Sequence, residues 1–285
     1  MIKPSSLICC ILISFCPDMI LAGTGKLQEH AGITQLEGSG GGGLTPWATL
    51  SGFDSDEEYS AGVFTTHVST QDFGLQVFGA TLSVYDRVEL GIARQAFELN
   101  DQPAGIAEIN QSILSIKTRI VGDAIYSRYP QISAGLQYKS LKNDTIASAL
   151  GAKDLDHGYD AYLTATQAHL GLFFGYNLAW NLTLRLTKAN QFGLLGYGGD
   201  KNDQYRIQPE GSLALFLNRS VAIGMEYRAK PDNLNLVKEE AAYDAFIAIV
   251  PNKQVNLTLA WVDLGSIAGS EPQTGPYVSF TGYLW

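Results

Sequence analysis

The feature of this sequence that most limits its fold is a strict alternation of side chains over residues 176–187. The odd positions are polar or small, whereas the even positions are apolar or aromatic: Tyr176, Leu178, Trp180, Leu182, Leu184 and Leu186. Successive side chains of a β-strand point to opposite faces. The pattern therefore predicts a strand with one face suited to lipid and the other to a polar interior.

The same two-residue period returns in other stretches of strand length. Counting back from the C-terminus gives twelve strands, near 57–69, 73–83, 86–97, 112–122, 130–140, 159–168, 176–188, 204–217, 220–229, 242–250, 253–264 and 275–285. Tight turns alternate with long loops between them, and no apolar run is long enough for a transmembrane helix, although 46% of the residues are hydrophobic. We predict an all-β fold, a transmembrane antiparallel β-barrel of about 12 strands, with 14 as the alternative.

The first 22 residues have the features of a secretory signal peptide. Lys3 supplies a positive charge, residues 7–15 are apolar, and Ala22 is a small residue before the predicted cleavage point. All three cysteines lie in this leader, so the mature chain has no disulfide and no thiol chemistry. A lipoprotein signal at Cys16 is the alternative, although the bulky Phe15 precedes it.

Residues 23–56 are rich in glycine and lie outside the predicted wall, which begins at residue 57. Residues 38–43 satisfy the pattern G-x-G-x-x-G, but no strand and helix flank it, so a nucleotide site is not predicted. Residues 45–53 form a possible short strand. We predict that this segment lies at the periplasmic mouth of the barrel or in its lumen.

Three aromatic residues of the last strand fall on one face. Tyr277, Tyr283 and the terminal Trp285 resemble the signal that bacterial outer-membrane β-barrels present to their assembly machinery. The sequence therefore predicts a protein of the cell outer membrane of a Gram-negative bacterium. Its predicted partners are outer-membrane lipid and the barrel-assembly machinery.

Charged residues of both signs fall on the polar face of the predicted wall. A charge facing lipid at mid-depth is costly, so these residues are predicted to face the lumen: Arg87, Glu89, Lys117, Arg119, Lys139, Asp160, Arg185, Arg206, Glu210, Glu226, Arg228 and Asp244. One interpretation is a lattice of ion pairs that fills a narrow barrel. The other is a polar conduit that selects solutes by size and charge.

Enzymatic and metal-binding residues are sparse in this sequence. His67 and Ser69 lie two apart on a predicted strand and therefore share a face, as a base and a nucleophile would. Outer-membrane lipid hydrolases carry a similar H-x-S pattern, but the residues that follow Ser69 differ from those of the phospholipase family. The acidic loop clusters complete no calcium-loop pattern, so no cofactor and no metal are predicted. The net charge of −9 argues against nucleic acid.

Several phrases carry a family resemblance that covers essentially the whole mature chain. They include residues 37–48, YDRVEL at 85–90, GLQYK at 135–139, LRLTKANQFGLLG at 184–196 and EYRAKPDNL at 226–234. These phrases resemble an uncharacterised proteobacterial outer-membrane family, domain of unknown function 3034. The resemblance implies a β-barrel and no particular substrate.

Together these patterns favour a narrow porin-like channel for small polar solutes. The alternatives are a lipid hydrolase that uses His67 and Ser69, and a structural or adhesive barrel that acts through its external loops. Conductance without hydrolysis is expected of the first, lipolysis that depends on Ser69 of the second, and neither activity of the third.

Overall fold

The computed structural model describes residues 33–99 and 108–284 of the chain. Twelve antiparallel strands form a closed barrel in which each strand pairs with its neighbours in sequence and the first pairs with the last. The strands are β1 (Tyr59–Ser69), β2 (Phe73–Val84), β3 (Val88–Leu99), β4 (Glu108–Val121), β5 (Gln131–Lys142), β6 (His157–Phe173), β7 (Tyr176–Thr187), β8 (Arg206–Asn218), β9 (Val221–Arg228), β10 (Ala242–Asn252), β11 (Val255–Asp263) and β12 (Thr274–Leu284). The predicted fold and the predicted number of strands are confirmed.

The two faces of the wall differ as the alternation predicts. On β7, Leu182 and Leu184 are 63% and 55% exposed on the outside, whereas the side chain of Thr183 between them is buried inside. An apolar outer surface around a polar interior is the arrangement of outer-membrane barrels. The protein is therefore an outer-membrane β-barrel. No helix in the described part of the chain is long and apolar enough to cross a bilayer.

The two ends of the barrel carry different connections. The end at which β1 begins and β12 finishes has short connections, of which the longest is 122–130; we call it the turn end. The opposite end, the loop end, carries the long connections 143–156, 188–205, 229–241 and 264–273. These hold the short helix α1 (Thr145–Ala149) and a 3-10 turn (Asn190–Gly193).

The hairpin of β6 and β7 extends at the turn end beyond the pairing of β6 with β5, which ends at Thr166. Residues 170–176, an apolar stretch, are all exposed, and Phe174 at the tip is 88% exposed. The stretch therefore lengthens the two strands and does not form a compact turn against the wall.

Residues 33–54 do not belong to the wall. They lie inside the barrel, almost entirely buried, and we call them the inner segment. The possible strand at 45–53 is part of this segment, which is why the wall has twelve strands. The predicted signal peptide, residues 1–22, lies outside the described residues, as does Trp285.

Candidate functional site

The lumen is the candidate site because almost all the buried charge of the protein meets there. The inner segment reaches it by turning sharply within a run of glycines. A Cβ atom on Gly41 would lie 2.3 Å from the carbonyl oxygen of Thr45, and one on Gly40 would lie 2.5 Å from the amide nitrogen of Ser51. Only residues without a side chain allow the backbone to approach itself this closely.

The carboxylate of Glu37 is the centre of the charge network. It pairs with Lys139 of β5, with Arg228 of β9 at 2.9 Å and with Arg185 of β7 at 3.5 Å. All four side chains are at most 3% exposed. One carboxylate of the inner segment thus joins three strands of the wall.

Two wall carboxylates extend this network. Asp160 lies 2.7 Å from Lys139 and 3.3 Å from Arg185, and Glu210 pairs with Arg185 and lies 3.4 Å from Arg228. Each of these buried charges therefore has an opposite partner, as burial in low dielectric demands.

A second contact between wall and inner segment forms at Glu89 and Lys117, which lie 3.2 Å apart. Glu89 accepts hydrogen bonds from the Ser39 hydroxyl and the Gly40 amide, both at 3.0 Å. The Lys117 ammonium donates to the carbonyls of Gly40 at 2.7 Å and Thr49 at 2.8 Å. The pair thereby satisfies backbone groups that the irregular segment leaves without secondary structure.

A third contact forms at Glu226 of β9. Its carboxylate accepts hydrogen bonds from the Leu44 amide at 2.6 Å and from the hydroxyls of Thr45 and Ser212, both at 2.7 Å. Among the described residues, Glu226 has no ion-pair partner within 4.0 Å. The inner segment is thus bound to the wall through polar contacts, in addition to the apolar contacts of Leu36, Leu44 and Trp47.

The connection 188–199 closes the lumen at the loop end, and we call it the cap. The ring of Phe192 lies under the Arg228 guanidinium at 4.3 Å, and its carbonyl accepts a hydrogen bond from Lys139 at 3.1 Å. Leu194 and Leu195 pack in a buried apolar cluster with residues of the wall. Lys230 donates to Gln191, and the cap is therefore tied to the neighbouring loop 229–241.

Not every predicted lumen charge joins the network. Glu89, Lys117, Arg185, Glu210, Glu226 and Arg228 face the lumen and are buried. Arg119 lies at the turn end, half-buried, and pairs with Asp86 and with Asp123 at 3.3 Å.

Arg87 and Arg206 are exposed, and the interpretation of both as lumen charges is corrected accordingly. Arg87 belongs to the turn before β3, because this strand begins at residue 88 and not at 86, and Arg206 is the first residue of β8, where the wall ends in water.

Glu37, the centre of the network, is not predicted by the alternation of the wall strands, because it lies outside the wall. Its one signal was its position immediately before the glycine run, which could have marked it as a charge carried into the lumen by the inner segment.

The polar side chains that line the lumen are hydrogen-bonded on one side of the barrel and lack hydrogen bonds to the described residues on another. On β7, Asn181 and Thr183 donate to the Pro46 carbonyl at 3.1 and 3.0 Å. On β11 and β12, the polar side-chain atoms of Asn256, Thr258 and Thr281 are buried and make no hydrogen bond with any described residue. We call these three residues the polar strip.

The aromatic residues of β12 also face the lumen. Tyr277 and Tyr283 are buried, and the ring of Tyr283 meets Phe53 edge to face at 5.6 Å. That the barrel-assembly machinery recognises these residues stays a prediction.

His67 and Ser69 lie on the outer face of β1, away from the lumen. His67 is exposed, and its Nδ1 lies 3.1 Å from the side-chain oxygen of Gln76 on β2. No hydrogen bond joins His67 to Ser69, both of which are described residues. In the described part of the chain, no group of three or more His, Cys, Asp or Glu residues could hold a metal.

The family model described as "Protein of unknown function (DUF3034)" matches residues 30–281. The chain belongs to this family. Its match includes the whole inner segment and nearly the whole wall, so the charge network lies within the part that defines a DUF3034 protein. No curated protein matches the sequence.

Solved structures resemble this DUF3034 protein in fold. The NanC porin has a TM-score of 0.52 at 7% identity, covering 79% of this chain and 100% of that one. The KdgM porin has a TM-score of 0.47 at 10% identity, covering 78% and 98%. LpxR from Salmonella typhimurium has a TM-score of 0.47 at 9% identity, covering 79% and 99%. At these identities the likeness is one of barrel architecture alone.

Proposed function

We propose that this DUF3034 protein is a narrow channel for small polar solutes, closed in this structure by the inner segment and the cap. The observation that supports it is the polar strip. Buried polar groups in folded proteins are almost always hydrogen-bonded. A strip of hydroxyl and amide groups without protein partners is the lining that a file of water or of small solutes requires.

The polar contacts of the inner segment make it the candidate for a gate. Glu37, Glu89 and Glu226 hold it to the wall through ion pairs and hydrogen bonds, which water can replace when the segment moves. The apolar contacts of Leu36, Leu44 and Trp47 with the wall oppose this movement, because their burial is lost on opening. The inner segment is the proposed gate.

The test is single-channel conductance of the refolded mature protein in planar bilayers. Deletion of residues 23–44 removes Glu37 and the glycine run, and we expect steady current where the unmodified chain opens rarely. Glu37→Gln is expected to raise the open fraction, because the gate loses three ionic contacts. Glu57→Gln is the matched control, because Glu57 is exposed, and it is expected to behave like the unmodified chain.

Silent bilayers from all four proteins would overturn the channel, provided that each protein is shown to be a folded barrel. The shift in gel mobility between heated and unheated samples gives that control.

A lipid hydrolase is the second candidate, and the contact of His67 with Gln76 favours it. If Nδ1 of His67 donates to the Gln76 oxygen, Nε2 is left as a base, the role a histidine takes beside a serine nucleophile. Ester cleavage in lipid vesicles that is lost in Ser69→Ala would support this activity. Neither current nor cleavage would leave a structural or adhesive barrel.

A further inference from the structure

The buried charges in the middle of the lumen do not balance. Four cations, Lys117, Lys139, Arg185 and Arg228, face six carboxylates: Glu37, Glu89, Asp160, Glu210, Glu226 and Asp244. The ion pairs described above connect the four cations to the first four carboxylates. The two remaining carboxylates, Glu226 and Asp244, have no cationic partner in residues 33–99 and 108–284.

These two carboxylates are neighbours. Asp244 of β10 is directly opposite Glu226 of β9 in the antiparallel register, and both side chains face the lumen. Directly opposed residues have Cβ atoms about 4.5–5.5 Å apart. Two negative charges at this spacing repel each other strongly in a medium of low dielectric constant. Their compensation must therefore come from outside residues 33–99 and 108–284.

The carboxylate oxygens of Asp244 are available to a ligand. Asp244 is 6% exposed; its carboxyl group lies against Glu226, and neither of its oxygens has a donor in hydrogen-bond geometry among the described residues. Glu226, by contrast, already accepts hydrogen bonds from Leu44, Thr45 and Ser212. The unused capacity of the pair thus lies mainly on Asp244.

The hydroxyl of Tyr277 on β12 lies at the same place. A Cβ atom on Gly43 would lie 3.3 Å from the Tyr277 hydroxyl and 3.4 Å from Oδ2 of Asp244, so both oxygens approach the same point of the inner segment. The Tyr277 hydroxyl is buried beside the hydroxyls of Thr66 and Ser279, which bond to each other at 2.8 Å, and it has no partner in hydrogen-bond geometry among the described residues. This is a second buried oxygen, independent of the acidic pair, that lacks a partner.

We propose that a divalent cation binds between Asp244 and Glu226, beside Gly43 and the hydroxyl of Tyr277. The donors are all oxygens, which hard cations such as Ca²⁺ prefer, and water completes the coordination shell. The charge of one such ion equals the two negative charges of Glu226 and Asp244. The ion would fasten the inner segment to β9, β10 and β12, a role that does not depend on whether the barrel conducts.

The test compares the stability of the full mature chain refolded in CaCl2 and in EDTA, with NaCl added to equal ionic strength. Refolding in the presence of the ion removes the need for it to enter a closed lumen. We expect the unfolding midpoint in detergent to rise saturably with Ca²⁺. Asp244→Asn is expected to abolish this dependence. Glu239→Gln, which changes a buried carboxylate that pairs with Lys230 at 3.1 Å, is expected to retain it.

Direct binding is read with Tb³⁺, whose luminescence is sensitised by nearby tyrosine. Saturable luminescence that is lost in Asp244→Asn and weakened in Tyr277→Phe would support the site. Equal midpoints in CaCl2 and EDTA, without a saturable Tb³⁺ signal, would overturn it. A midpoint that responds to pH but not to Ca²⁺ would assign the compensation to a proton shared by the two carboxyl groups, and would likewise overturn the cation.

Discussion

At the scale of single residues, the protein depends on a few carboxylates that each contact several elements. Glu37 reaches three cations on three strands, and Glu89 and Glu226 each bind backbone amides of the inner segment. A buried ionic group is worth little in net stability when it is intact, but its removal leaves partners uncompensated. These positions are therefore intolerant of substitution.

We predict that Glu37→Gln destabilises the folded barrel by about 3–5 kcal/mol, because three buried cations lose an opposite charge. The free energy of unfolding in urea, measured for the refolded mature chain in detergent, checks the value. Glu57→Gln is expected to change it by less than about 0.5 kcal/mol, because Glu57 is exposed. Equal free energies of unfolding for the two variants would show that the charge network does not stabilise the folded barrel.

At the scale of elements, the wall and its contents follow different rules. The positions and the number of the wall strands could be predicted, because every strand has an apolar environment on one face and a polar one on the other. Its side chains therefore alternate with a period of two residues. The inner segment has no such period. Its contacts join residues as far as 249 positions apart, such as Thr34 and Tyr283, and no local pattern encodes them.

The wall residues of the candidate site could be predicted from the sequence, but its inner-segment residues could not, because only the wall strands have a two-residue period. The alternation of inward and outward side chains along the strands identified Lys117, Arg185 and Glu226 as lumen residues. This alternation does not decide exposure at the ends of a strand, where a side chain reaches water whichever way it points. For this reason Arg87 and Arg206 were wrongly predicted to be lumen residues. Whether Glu226 and Asp244 have cationic partners depends on which wall cations pair with the inner segment. Only the structure shows those pairings.

The cap gives a prediction at the scale of elements. Phe192→Ala removes a buried ring from beneath Arg228, and we expect it to cost about 3–5 kcal/mol of stability, as large-to-small changes of aromatic core residues do. Phe174→Ala is the matched control. Both residues have a positive φ, of 62° and 50°, but Phe174 is exposed at the tip of the β6–β7 hairpin.

Urea unfolding of the two variants side by side checks this prediction. A similar loss in both would mean that the backbone conformation, and not the burial of the ring, determines the cost. A negligible loss in Phe192→Ala would show that the cap does not contribute to the stability of the barrel.

At the scale of the whole molecule, the chain closes a wall around its own first described residues. The pairing of β1 with β12 joins the beginning of the wall to its end. The inner segment fills the lumen, and the cap covers it at the loop end. Wall, inner segment and cap share the same network, since Arg228 contacts Glu37, Leu44 and Phe192.

We predict that the mature protein begins at Gly23. The intact mass of the protein purified from outer membranes, compared with the mass calculated for residues 23–285, checks this. A mass that corresponds to a lipid-modified chain beginning at Cys16 would show a lipoprotein signal instead. The retention of all 285 residues would exclude cleavage.

The inner segment also constrains the order of events during export. Its residues leave the ribosome before the wall does, but the partners of Glu37 lie on β5, β7 and β9, and the barrel cannot close before β12, the last strand, is present. The segment must therefore travel unpaired for as long as the wall is incomplete. The glycine run at 40–43 leaves the backbone free to adopt its tight turns late, whereas Leu36, Leu44, Trp47 and Phe53 stay exposed until the wall closes and are the residues of the segment that can aggregate.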